Sequence, residues 1–74
     1  IAYSARAAER FSDRVSAASQ RISTFPESGR LIPEFGDPQL REVVVDRYRL
    51  WYRLSEGEIE VVTLWPAAVP VDEE

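Results

Sequence analysis

All nine basic residues of this 74-residue chain are arginines, and four of them lie close together. The stretch Leu40 to Trp65, LREVVVDRYRLWYRLSEGEIEVVTLW, contains Arg41, Arg47, Arg49 and Arg53. A guanidinium is planar, permanently charged, and suited to bidentate hydrogen bonds with carboxylate or phosphate. Several on one sheet face can clamp a phosphodiester and neutralise the charge that develops as it breaks. Arg30, on a loop that must pack nearby, extends the set. Trp51 and Trp65 can stack on bases or on the side chains of a partner. The candidate partner- or target-binding residues are therefore Arg30, Arg47, Arg49, Trp51, Arg53 and Trp65. The ordinary alternative is that these arginines pair across strands with Glu42, Asp46, Glu58 and Glu60, contributing little each. The tryptophans would then close the edge of a core. Spacing alone favours this second reading.

Other chemistries find no residues in this sequence. With no cysteine and no histidine, thiolate or imidazole metal sites and a histidine general base are unavailable, and Ser16, Ser19 and Ser23 have nothing to activate them. No acidic spacing suggests a metal cage and no glycine-rich phosphate loop is present, so no metal or cofactor is expected. A net charge of −4 argues against sequence-blind nucleic-acid binding. No run approaches the roughly 20 apolar residues that span a bilayer, and no signal peptide is visible. A soluble, cytoplasmic protein without membrane contact is expected.

The elements that must hold these residues follow from periodicity. Tyr48, Leu50, Tyr52 and Leu54 alternate with Arg47, Arg49, Trp51 and Arg53, which predicts a strand with one apolar and one arginine-rich face. Val43 to Val45 and Ile59 to Thr63 favour strands on either side. Glu56-Gly57 supplies a tight hairpin turn. Upstream, Ala5, Ala8, Phe11, Val15, Ala18, Ile22 and Phe25 recur at three- and four-residue steps, predicting a helix from Ser4, its N-cap, to Thr24. Pro26 disfavours helical geometry at Phe25. Residues 25–39 hold three of the five prolines and read as a structured loop anchored by Leu31, Ile32 and Phe35, with Gly29 turning the chain before Arg30. The expected fold is α+β: a single domain over 1–74, with one helix on a three-stranded antiparallel sheet. After Trp65 the prolines 66 and 70 are expected to prevent further pairing, leaving 65–74 irregular and frayed from Val71. Ile1-Ala2-Tyr3 reads as the last turn of something already under way, so further residues are expected upstream. A chain this short leaves apolar surface uncovered, which usually marks an interface.

An amphipathic helix followed by FPESGRLIPEF, LREVVV, RYRLWYRL and EIEVVTLW resembles the RelE/ParE superfamily of bacterial toxins, and its ParE-like branch most. The resemblance covers residues 1 to 65. It rests on Pro26 with Gly29-Arg30, Pro33-Glu34, Leu40-Arg41-Glu42, and Tyr48-Arg49 followed by Tyr52-Arg53. It implies a fold lacking here its first strand and most of its first helix. It also implies the toxin of a type II toxin–antitoxin module, bound as a hetero-oligomer by a ParD-like antitoxin. RelE-like members cut messenger RNA on the ribosome with basic residues on the sheet, which makes Arg49 and Arg41 the catalytic candidates. ParE-like members poison DNA gyrase by contact. Relatives continue the last strand into a histidine and then an arginine, whereas this chain has Trp65-Pro66-Ala67-Ala68-Val69. That departure favours the gyrase reading over the nuclease, with an inactive binding paralogue as a third alternative.

Overall fold

A computed structural model describes residues 5–71. The helix α1 spans Ala5–Thr24. Its inward stripe is Phe11, Val15, Ala18 and Ile22, at steps of four and three residues that hold one face of a 3.6-residue turn. Phe25 donates its amide to the Arg21 carbonyl at 2.8 Å, and the chain then breaks away before Pro26. Two stripe residues depart from expectation. Ala5 is exposed, and Phe25, just past the last turn, is 63% exposed. The expected cap Ser4 lies outside the described residues.

The sheet has four strands rather than three: β1 Arg30–Leu31, β2 Leu40–Val45, β3 Tyr48–Ser55 and β4 Glu58–Pro66, in that order and all antiparallel. The added strand is two residues from the proline-rich loop, pairing Arg30 with Glu42 and Leu31 with Arg41. So short a segment has no period of its own to announce it.

Turn chemistry fixes the register. Glu56 (φ 49°) and Gly57 (φ 80°) both sit at positive φ between the paired Ser55 and Glu58, as a two-residue type I′ hairpin requires. Asp46 (φ 55°) and Arg47 join β2 to β3. Asp is among the few non-glycine residues that tolerate this region, and Asp46 also accepts a hydrogen bond from Arg14 on the helix.

Alternation then sorts the side chains. On the helix side Leu50 and Tyr52 are fully buried with Val45 and Ile22, and Leu54, Ile59 and Leu64 pack around them. Each such side chain stabilises the fold by about 1.5–3 kcal/mol. Between β3 and β4, Tyr52 faces Val61 and Trp51 faces Thr63, which leaves Val62 of β4 as an extra residue. This bulge resets the alternation, so that Leu64 lies opposite Leu50 and Trp65 opposite Arg49.

The second face is not simply a charged surface. Ile32, Leu40 and Trp51 form their own buried cluster, joined by Trp65 and Val71. Phe35 meets Trp51 edge-on at 5.4 Å, and Trp65 stacks on Trp51 at 5.3 Å with 7° between the rings. The 32–35 turn thus covers the centre of the face expected to carry only arginines.

The segment 65–71 is paired and packed where an irregular tail is expected, and the rest of that tail, 72–74, lies outside the described residues. Pro66 still pairs with Tyr48 as the last residue of an outer strand, where a missing donor costs nothing. Trp65 then donates Nε1–H to the Val69 carbonyl at 2.8 Å, closing a turn over 66–69. Val71 is half-buried in the second cluster rather than frayed.

One contact ties the helix end to the sheet. The Tyr52 hydroxyl donates to the Pro26 carbonyl at 2.8 Å and accepts the Gly29 N–H at 2.9 Å. Gly29 is needed less for a turn than for this approach. Tyr52→Phe strands a buried N–H and a carbonyl, and is expected to lower unfolding free energy by about 1–2 kcal/mol. Urea denaturation measures it, and an unchanged midpoint would show the hydroxyl to be idle.

Candidate functional site

At the middle of the second face sits one buried acid. Glu42 shares a face of β2 with Leu40 and Val44, opposite the helix-facing Val43 and Val45, and only 2% of it is exposed. A carboxylate removed from water needs partners, and three donors converge on it. Arg49 Nε reaches Oε1 at 2.6 Å, Trp51 Nε1 reaches the same oxygen at 2.9 Å, and Arg30 Nε reaches Oε2 at 2.5 Å. Burial pushes the Glu42 carboxyl up, but the hydrogen bonds from Arg49, Trp51 and Arg30 outweigh it and hold it below the ordinary glutamate range.

Arg49 is bound on its outer edge as well. Its NH1 and NH2 meet the two oxygens of Glu34 at 3.0 and 2.8 Å, a bidentate fork delivered by the 32–35 turn. The hydrogen bond from Arg49 lowers the Glu34 carboxyl. In return Glu34, and then Glu42, raise the Arg49 guanidinium further above its usual value. Its side chain is 11% exposed, and its charge lies 5.3 Å from the Trp51 ring centre.

The residues singled out in the sequence therefore separate. Arg30, Arg49 and Trp51 share Glu42, and Trp65 joins through its stacking on Trp51. Arg53 turns aside to Asp37 at 3.4 Å. Arg41 lies on the helix-facing side of β2, where NH1 donates to the carbonyls of Gly29 and Glu27 at 2.8 and 3.2 Å. Its Nε is buried without a hydrogen-bond partner. Arg47 belongs to the turn before β3 rather than to the strand. It has no side-chain partner among the described residues.

Of the expected cross-strand acids, Glu42 and Asp46 do hold arginines, although Asp46 holds Arg14 of the helix. Glu34, read in the sequence only as part of Pro33-Glu34, and Asp37 are arginine partners that the sequence does not foretell. The pairing of Glu42 is legible from its place in the strand, but its burial is not, since Val44 on the same face of β2 is 68% exposed. For Glu34 no periodic signal exists, because its partner lies across a fold that only tertiary packing creates.

An antiparallel meander backed by one helix, with Arg30 and Arg49 gathered onto the buried Glu42, is a small α+β fold, and a cleft lined by Leu40, Trp51, Arg53 and Trp65 lies beside that cluster. Residues 1–69 match the family model described as ParE toxin of type II toxin-antitoxin system, parDE. The chain belongs to that family, within the RelE/ParE superfamily, and a toxin of this type implies an antitoxin partner. Comparison with curated proteins and with solved structures returns no match. Among the described residues no helix is long and apolar enough to cross a membrane.

Proposed function

We propose that this toxin acts by protein–protein contact, with DNA gyrase as its target, and that a ParD-like antitoxin neutralises it by binding the same small domain. The observation that carries the reading is the state of Arg49. Each of its three nitrogens donates to Glu34 or Glu42, so a phosphodiester would have to compete with two carboxylates already in place. Arg41, the other nuclease candidate, lies on the opposite face against backbone carbonyls. The sequence contains no histidine, and the stretch after Trp65 folds into a turn of proline, alanine and valine. Exposed Phe35, Val44 and Val62 give the domain apolar contact surface instead.

Two assays run side by side test this. Gyrase supercoiling is expected to fall on adding the wild-type protein, while a messenger translated on ribosomes remains uncut by wild type and Arg49→Ala alike. A nuclease that used Arg49 would lose about a hundredfold or more in cleavage rate in that variant. Ribosome-dependent cleavage by the wild type, abolished by Arg49→Ala, would overturn the proposal.

A further inference from the structure

Away from the arginine cluster, a groove of about 620 Å³ opens between the end of α1, the loop around Pro38 and the tip of the β3–β4 hairpin. Its apolar surface comes from Phe25, Leu54 and Ile59. Phe25 is the residue that the helical pattern placed in the core, yet it stands 63% exposed on this wall. Exposed aromatic surface beside aliphatic side chains favours an apolar side chain from outside.

The electrostatics narrow the choice of occupant. Glu27, Glu56 and Glu58 line the groove against one cation, Arg41, giving a formal balance of −2 (three acids, one base). That cation is already committed, since its NH1 donates to the carbonyls of Glu27 and Gly29. The α1 C-terminus adds to the negative potential, because Thr24 lies on the groove and the last-turn carbonyls carry the negative end of the helix dipole. Arg21, the basic residue of that turn, borders a different cleft with Val44 and Asp46.

We infer that this groove docks a cationic, amphipathic peptide segment of a partner protein, one apolar side chain seated on Phe25, Leu54 and Ile59 and flanked by lysine or arginine. The volume suits one or two side chains, within the range of ordinary ligand sites. Charge complementarity selects the cationic segment and repels an acidic one. The groove lies at the far end of the sheet from Arg47 and Val44, so this docking neither requires nor excludes contact through the arginine face.

The test uses two fluorescein-labelled octapeptides, one alternating lysine and leucine and one alternating glutamate and leucine, titrated into the full chain by anisotropy. Amide shifts on adding the lysine peptide are expected to centre on Phe25, Leu54 and Ile59. Glu27→Lys/Glu58→Lys is expected to weaken binding at least about tenfold, a loss of about 1.4 kcal/mol. Glu9→Lys/Asp13→Lys changes net charge equally on the exposed face of α1 and is expected to leave affinity within about twofold, as a distant rim charge should. Circular dichroism establishes that both variants fold. Equal weakening by the two variants would reduce the effect to net charge and overturn the inference. So would equal binding of both peptides, shifts centred on Trp51 and Trp65, or sedimentation as a dimer whose interface covers Phe25.

Discussion

Glu42→Ala is expected to cost about 3–5 kcal/mol, the loss typical of removing one partner from a buried ion pair. The change strands Arg49 Nε and Trp51 Nε1 beneath the 32–35 turn and frees Arg30 from its acceptor. Domains of this size have only about 5–15 kcal/mol to lose, so the variant should sit close to its unfolding midpoint at room temperature. Glu42→Gln keeps the shape and one acceptor oxygen and should lose less. Urea denaturation decides, and a loss below about 1 kcal/mol would mean that the three donors find water or Glu34 at little cost.

The same network sets the acid limit of the fold. Glu42 and Glu34 both titrate below the ordinary value of 4.5 in the folded chain. As pH falls, the unfolded chain therefore binds protons before the folded one. The stability these groups contribute is present in full above the unfolded value and lost as pH drops from about 5 through the lowered native range. Glu42→Gln should flatten that decline, and an unchanged acid limb would place the acid sensitivity elsewhere.

Gly29→Ala is the second large effect, at about 3 kcal/mol, toward the upper end of what overpacking costs. A Cβ at this position would stand 2.4 Å from the Tyr52 hydroxyl and 2.8 Å from the Glu42 carbonyl oxygen. The hydroxyl can be removed, but the carbonyl is β2 backbone and cannot move without disturbing that strand. The melting temperature should fall by on the order of 15 °C. In a Tyr52→Phe background the penalty should shrink without vanishing, because the two residues are in contact and their effects do not add. Full additivity would mean that the crowding lies elsewhere.

The parts of this fold legible in the sequence are those with a period or a turn signature. Phe11, Val15, Ala18 and Ile22 announce α1. Tyr48 to Leu54 announce β3, and Glu56-Gly57 announces its hairpin. What was not legible depends on pairing between distant segments. Arg30-Leu31 becomes a strand because Gly29 lets the loop approach Tyr52 closely enough to pair with β2. The face read as arginine-rich holds a second core because Ile32 and Phe35 fold back over Trp51. Phe25 fits the helical stripe by spacing, yet the helix ends one residue too soon to turn it inward. At the candidate site, Glu42 is legible as a cross-strand partner for the arginines, but its burial and its sharing by Arg30, Arg49 and Trp51 together depend on tertiary packing.

The extra residue at Val62 bears on how the molecule keeps to itself at high concentration. Among the described residues nothing pairs with the outer side of β4, and Val61 and Val62 are about half exposed there. A flat row of open amides and carbonyls of that kind invites a neighbour to extend the sheet and, repeated, to seed a fibril. Here an approaching strand can match Glu58 to Val61 or Thr63 to Trp65 but loses step where the two halves join. Pro66 offers it no donor beyond, and Glu58 and Glu60 repel a second copy laid alongside in register.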